Sequence, residues 1–282
     1  MNFKNNISYF FFCFIGSMIL ISCQPDKTEK NTTVPVVEDK TPEIPQVKFT
    51  VENQYPHDIT SFTEGFLFHD GKLFESTGAT ENLPQTRSLF GMVDLKTGKI
   101  DVKAELDRNI YFGEGIVILN EKVFQVTYKN QMGFIYDAKT FKNIGKFNYT
   151  NTEGWGLTTD GKSIIMSDGT SYITYLDPTS YIPTKIISVK EGNYDLIYLN
   201  ELEYIKGFIY ANIWMTNTIV KIDPNTGDVV GKMDLSSLAE ESKAKSPGAA
   251  EMNGIAYDSI SDKILVTGKL WPTIYEIKFP LQ

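Results

Sequence analysis

Three features of this 282-residue chain predict an all-β fold, a five-bladed β-propeller: one short motif recurs five times, turn signals separate short apolar runs, and the last unit is one strand short. The copies are Phe62-Thr63-Glu64-Gly65-Phe66, Tyr111-Phe112-Gly113-Glu114-Gly115-Ile116, Glu153-Gly154-Trp155-Gly156-Leu157, Asn200-Glu201-Leu202-Glu203-Tyr204 and Asn253-Gly254-Ile255-Ala256-Tyr257. With Glu64, Glu114, Glu153, Glu201 and Asn253 as markers, the steps are 50, 39, 48 and 52 residues, which is propeller-blade length. Such a unit cannot bury its own apolar face, so neighbours must stack and the stack must close.

Each marker is followed 13 or 14 residues later by a second motif, at Thr77 in STG, Thr127 in VTY, Ser167 in MSDG, Trp214 in ANIW and Thr267 in VTGK. An acid in a short apolar run comes 9 or 10 residues after that, at Asp137, Asp177, Asp223 and Glu276. In the first copy Asp94 lies 17 residues after Thr77, which predicts a longer hairpin loop there. Asp70-Gly71, Asp160-Gly161 and Thr226-Gly227 mark turns between the runs, because glycine supplies the positive φ that tight turns require. One more strand precedes each marker, at 47–52, 99–106, 142–149, 184–190 and 228–235. The chain stops soon after Glu276-Ile277-Lys278-Phe279, so the strand at 47–52 is expected to complete the last blade and remove its exposed edge. Residues 237–252 break the rhythm with small and charged groups, and a surface loop with room for a short helix is expected.

The N-terminus reads differently. Residues 1–23 carry one basic residue, Lys4, then an apolar run from Tyr9 to Ile21 and Ser22-Cys23. That run has the proportions of a signal h-region and is short for a bilayer span. Leu20-Ile21-Ser22-Cys23 resembles a bacterial lipobox, which implies acylation of Cys23 and an exported protein, periplasmic or at the cell surface, held by a lipid anchor. The plainer reading, a secretory signal with an incidental cysteine, also places the chain outside the cytoplasm. Residues 24–46, rich in Pro, Thr, Lys, Asp and Glu, bury too little to offset chain entropy and are expected to be a disordered tether. The propeller is expected over 47–282. Cys13 and Cys23, the two cysteines, both fall in the targeting segment, so the domain has neither disulfide nor thiol chemistry.

Without residues 1–23 the 27 basic residues lose only Lys4, leaving 26 against 35 acidic, net −9. A surface of that sign repels phosphates, which argues against nucleic acid as a partner. A monomer is expected.

Residues Gly156 to Ser163 satisfy the phosphate-loop pattern G-x-x-x-x-G-K-[ST]. A phosphate loop must lead into a helix whose N-terminus faces the anion, whereas Ser163 to Asp168 is a β-like run and Asp160-Gly161-Lys162 occupies the hairpin position of Asp70-Gly71-Lys72. The two histidines, His57 and His69, have no second ligand at metal spacing, and no G-x-S-x-G elbow is present, so neither a zinc site nor a serine triad is expected. His57 is expected to be a buried, hydrogen-bonded loop residue.

What remains are the markers, which a propeller places at the mouth of its central channel. The recurring glycines are explained by crowding of inner strands. Crowding does not explain Phe62, Glu64, Phe112, Glu114, Glu153, Trp155, Asn200, Glu201, Trp214 and Lys269, because converging carboxylates and an ammonium are costly unless they face one another or a ligand.

FTEGF, FGEGI, EGWGL, MSDGT, NELEY, ANIW, IDPNTG, NGIAY and VTGKLWP, in this order, resemble the glutaminyl-peptide cyclotransferases of the plant and bacterial type, from about Tyr55 to the end. The resemblance implies a five-bladed propeller that converts N-terminal glutamine of peptides or proteins to pyroglutamate with release of ammonia, without metal or other cofactor. It implies Glu114 as the catalytic acid and base, Asn200 and Lys269 as donors to the γ-carbonyl oxygen, and Phe62, Phe112, Trp155 and Trp214 as pocket walls. Glu153 and Glu201 are assigned supporting or inner-strand roles. Two binding positions depart from the family pattern: Glu64 stands where glutamine is usual, and Tyr128 where tryptophan is usual. A non-catalytic propeller binding peptide N-termini or glycans at the cell surface is the alternative, and a metal-dependent hydrolase propeller the third.

Overall fold

In a computed structural model the described residues are 43–281; the expected signal segment, Cys23 and the tether up to residue 42 lie outside them. Among the described residues are five four-stranded antiparallel sheets, a small hairpin of Lys190–Glu191 with Tyr194–Asp195, and one helix, Ser236–Lys245. The inner strands are Thr63–His69, Gly113–Leu119, Leu157–Thr159, Leu199–Ile205 and Met252–Asp258. Each packs against the next and the fifth returns to the first, which makes the five-bladed propeller.

The apolar core is divided among the seams between blades. Phe66 and Leu73 of blade one meet Ala256, Leu265 and Ile274 of blade five, and Phe74 and Phe90 meet Ile116 and Val123 of blade two. The remaining seams are filled the same way. A fully buried side chain of this size contributes about 1.5–3 kcal/mol, so stacking supplies what no single sheet can. Crowding accounts for the marker glycines. A Cβ on Gly115 would lie 2.5 Å from the Leu157 nitrogen, and one on Gly65 2.7 Å from the Ile116 nitrogen.

The recurring acids at the end of the third strand of blades one to four are turn caps. Asp94, Asp137, Asp177 and Asp223 each accept a backbone N–H two residues on: Lys96, Lys139, Thr179 and Asn225. Glu276 differs, lying within Thr273–Lys278 and accepting from Asn53 Nδ2 at 2.9 Å and Tyr55 Oη at 2.6 Å. Gly156 to Ser167 is a β-hairpin turning at Asp160 and Gly161, the latter at φ +82, with no helix after it. The longer first-blade loop lies between Lys72–Thr77 and Leu89–Val93.

The outer strand of the fifth sheet is Thr50–Pro56, antiparallel to Thr273–Lys278 with a bulge between Val51 and Asn53. The sequence places this strand at 47–52; it begins later because Lys232, on the outer strand of blade four, engages the Pro45 carbonyl and the Val47 N–H. Just past this strand His57 is buried, with Nδ1 2.8 Å from the Trp271 carbonyl and Nε2 3.0 Å from the Glu75 carboxylate. Burial pulls the His57 pKa down, but the Glu75 carboxylate, the Trp271 carbonyl and Asp58 together outweigh it and hold the value above normal. Within 237–252, the loop expected at the surface is largely helix. Its Leu238 enters the core between blades four and five, and Ser242 Oγ meets Tyr275 Oη at 3.1 Å.

Candidate active site

Four of the five markers sit where strand register slips: between Thr63 and Gly65, Gly113 and Ile116, Leu199 and Leu202, and Met252 and Ile255. A bulge leaves one residue without a cross-strand partner and re-aims its side chain. At Glu114 the surrounding backbone is pinned on three sides. Gly113 N–H donates to Ser88 Oγ at 3.0 Å, the Glu114 carbonyl accepts from Ser76 Oγ at 2.5 Å, and Gly115 N–H donates to the Trp155 carbonyl at 2.7 Å. Neighbouring blades thus hold the bulge that aims this carboxyl.

A cavity of about 510 Å³ opens at the end of the ring where the inner strands begin. Glu64, Glu114, Asn200 and Lys269 line it, and are 2%, 5%, 3% and 5% exposed. The aromatic wall is Phe62, Phe112, Tyr128, Trp155 and Trp214. Successive rings along it lie 6.1, 6.0, 6.5 and 5.8 Å apart, so it is one continuous row.

Lys269 Nζ lies 2.7 Å from Glu64 Oε1 and 4.6 Å from the Phe62 ring centroid. Asn253 Nδ2 donates to the other Glu64 oxygen at 3.0 Å. Burial pushes Glu64 up to about 7 even against the pull of Lys269, because removing a carboxylate from water costs more than one ion pair returns. Glu114 makes no hydrogen bond or ion pair through its carboxyl among the described residues. Burial first, and then the Glu64 charge, hold its pKa well above the carboxyl range, with Lys269 opposing. Asn200 Oδ1 is likewise buried without a partner.

Glu153 also lines the cavity, accepting from Trp155 Nε1 at 2.9 Å and fixing that indole. Glu201 does not line it. Its carboxyl accepts Phe66 N–H and Ile255 N–H at 3.2 and 2.8 Å and ties blades one, four and five across the channel.

Thr80, Tyr198 and Glu251, which the sequence does not single out, complete the lining together with Asp168, Gly169 and Thr170 of the MSDGT motif. Thr80 is carried by the long first-blade loop, whose 17-residue interval was the available signal, and its Oγ1 is buried without a partner. Glu251 is tied to Lys269 through backbone hydrogen bonding, Lys269 N–H to the Glu251 carbonyl at 2.9 Å, a link across the strand pair that no local motif marks.

The chain matches the glutamine cyclotransferase family model over residues 17–279. It is 40% identical over 227 residues to a glutaminyl-peptide cyclotransferase of Arabidopsis thaliana, covering 80% of this chain and 69% of that relative. The crystal structure of Myxococcus xanthus glutaminyl cyclase matches it with a TM-score of 0.76 at 30% identity, over 85% of this chain and 100% of that one. The chain belongs to the glutamine cyclotransferase family, and is an enzyme of the acyltransferase class.

Proposed function

We propose that this chain cyclises the N-terminal glutamine of peptides or proteins to pyroglutamate, releasing ammonia, by proton transfer through Glu114 and without a metal ion. The observation that carries the reading is the Glu114 carboxyl: buried, without an internal partner, high in pKa, and inside an aromatic-walled cavity beside Lys269 and Asn200.

The reaction moves one proton between two nitrogens of a single residue. The α-amine must give up a proton as it attacks the γ-amide carbon, and the departing amide nitrogen must gain one. A single carboxyl beside both can do each in turn. Its raised pKa brings it nearer to the roughly 7.7–8.0 of an α-amine, which makes the first transfer less uphill. Because nucleophile and electrophile share one residue, the protein's contribution is to hold the curled conformer, which the rings of Trp155, Trp214, Phe62 and Phe112 are placed to do while excluding water.

As the carbon–nitrogen bond forms, charge builds on the γ-carbonyl oxygen. Lys269 and the Asn200 amide are assigned to it. Glu64 holds Lys269 and faces the substrate's ammonium side, with Tyr128 closing the wall next to Phe112. When the tetrahedral centre collapses, Glu114 returns its proton to the leaving nitrogen and ammonia departs. A peptide-binding propeller without catalysis has no use for an unpaired buried acid.

The test is mass spectrometry of a Gln-peptide incubated with the purified chain. Loss of one ammonia is expected from Gln-peptides and not from Asn-peptides, whose shorter side chain cannot close the same ring. Tight binding without mass change would overturn the reading.

The location proposed is outside the cytoplasm, with Cys23 acylated and the ring attached to a membrane as a monomer. This rests on the lipobox-like Leu20-Ile21-Ser22-Cys23. Labelled fatty acid is expected on the native chain and absent from Cys23→Ser; equal labelling of both rejects it.

A further inference from the structure

Beside the cavity mouth, large apolar side chains stand in water: Ile197 is 47% exposed, Tyr198 46% and Met215 63%. Single exposed apolar residues are ordinary. Of these three Tyr198 belongs to the cavity wall, and the other two are chain neighbours of wall residues. Trp214 lines the cavity, its ring lies 5.6 Å from that of Tyr198, Met215 follows it in the chain, and Ile197 precedes Tyr198. Since Tyr198 both lines the cavity and reaches water, the aromatic row that begins at Phe62 continues out over the rim on blade four.

The backbone holds this shelf in place at some cost. Tyr198 and Met215 have φ values of 68 and 64, a region that bulky residues avoid and that persists only where surrounding structure enforces it. Enforcement is visible: Tyr198 N–H donates to the Gly169 carbonyl at 2.8 Å, and Trp214 N–H to the Tyr198 carbonyl at 2.9 Å. The rim therefore presents the Tyr198 ring from a backbone held in place, flanked by the exposed side chains of Ile197 and Met215, and a positioned ring gives contact area with little ordering entropy on binding.

We propose that Ile197, Tyr198 and Met215 form a docking subsite for the peptide that follows the reacting glutamine, taking apolar side chains at the substrate's second and third positions. This rests on the proposed function. A substrate whose first residue fills the cavity must carry its chain out across the rim, and the shelf is the apolar part of that rim continuous with the wall. Charge favours the same class. Glu153, Asp168 and Glu251 line the cavity and outnumber the two cations there, Lys269 and the Lys129 that pairs with Glu153 at 3.8 Å, so acidic residues just after the glutamine are disfavoured.

The test uses the full chain and four substrates: glutamine amide, and Gln-peptide amides carrying Ala-Ala, Leu-Phe or Asp-Asp at positions two and three. The Leu-Phe peptide is expected to exceed Ala-Ala in kcat/KM by roughly tenfold, mainly through KM, with Asp-Asp lowest. In the double variant Ile197→Ser, Met215→Ser, that preference should shrink to near equality while turnover of glutamine amide is unchanged. Equal kcat/KM for Leu-Phe and Ala-Ala in the native chain overturns the subsite, as does a preference that survives in the double variant. A native dimer in light scattering that the double variant abolishes would assign the shelf to a second copy and also overturn it. No turnover of glutamine amide by the native chain is a different failure, striking the proposed function itself and the subsite with it.

Discussion

Glu114→Gln is expected to lower kcat/KM for Gln-peptides by about 10³-fold or more, the upper part of the range for removing a positioned acid and base, while the chain stays folded. Two features make this a clean test. The substitution keeps shape and volume, and because the carboxyl bonds to no group among the described residues, no partner there is stranded by its loss. Stability should hold or rise, since a buried acid disfavoured by its surroundings is removed. Progress curves of ammonia release, with circular dichroism of the same samples, decide the matter. Residual turnover within tenfold of native would remove Glu114 from the role, and the Glu64–Lys269 pair would then be the group to examine.

The thermal midpoint is expected to be about 10 °C higher at pH 5.5 than at pH 8.5. Burial, the leading cause in each case, raises Glu64 to about 7 and Glu203 to about 8, and also raises Glu114 and Glu201. A group whose pKa is raised by folding binds its proton more tightly in the fold than in the unfolded chain. Its contribution is complete below the unfolded value near 4.5 and is lost as pH climbs through the folded value. His57, held above normal by Glu75, acts in the same direction. Asp94, Asp137 and Asp177 oppose, because the backbone N–H groups of their turns lower their pKa values. Their contribution is present above about 4 and is lost only as pH falls below that.

The two sets leave an optimum on the mildly acid side. Each tenfold change in proton affinity is worth ~1.4 kcal/mol, and each kcal/mol moves the midpoint of a domain this size by about 2–4 °C. Glu203→Gln should flatten the slope, because Glu203 lies away from the candidate active site and still offers an acceptor to Tyr257 N–H, now 2.8 Å away. A midpoint equal or higher at pH 8.5 would show that the buried acids are solvated in a way this fold does not suggest.

Much of this is legible in the sequence. The period of the markers, the hairpin turn at Asp160 and Gly161, the buried state of His57 and the long first-blade loop follow from local chemistry, because turn geometry and strand alternation are written within a few residues of one another. The marker glycines belong to the same class. Their small size answers a crowding that any ring of inner strands imposes.

Other features are decided only when distant segments meet. Burial raises both Glu64 and Glu114, and Lys269, which finds Glu64 from the far end of the domain, opposes it in each. Thr80, Tyr198 and Glu251 join the cavity from separate blades and have no shared motif. The first strand starts at Thr50 because Lys232 occupies the backbone before it. The sequence by itself determined the five-fold repeat and the kinds of side chain delivered to the channel, since both depend on spacing along one strand. Tertiary structure alone decided which carboxyl is paired and which is left open, because desolvation and charge pairing depend on neighbours that the linear order does not bring together.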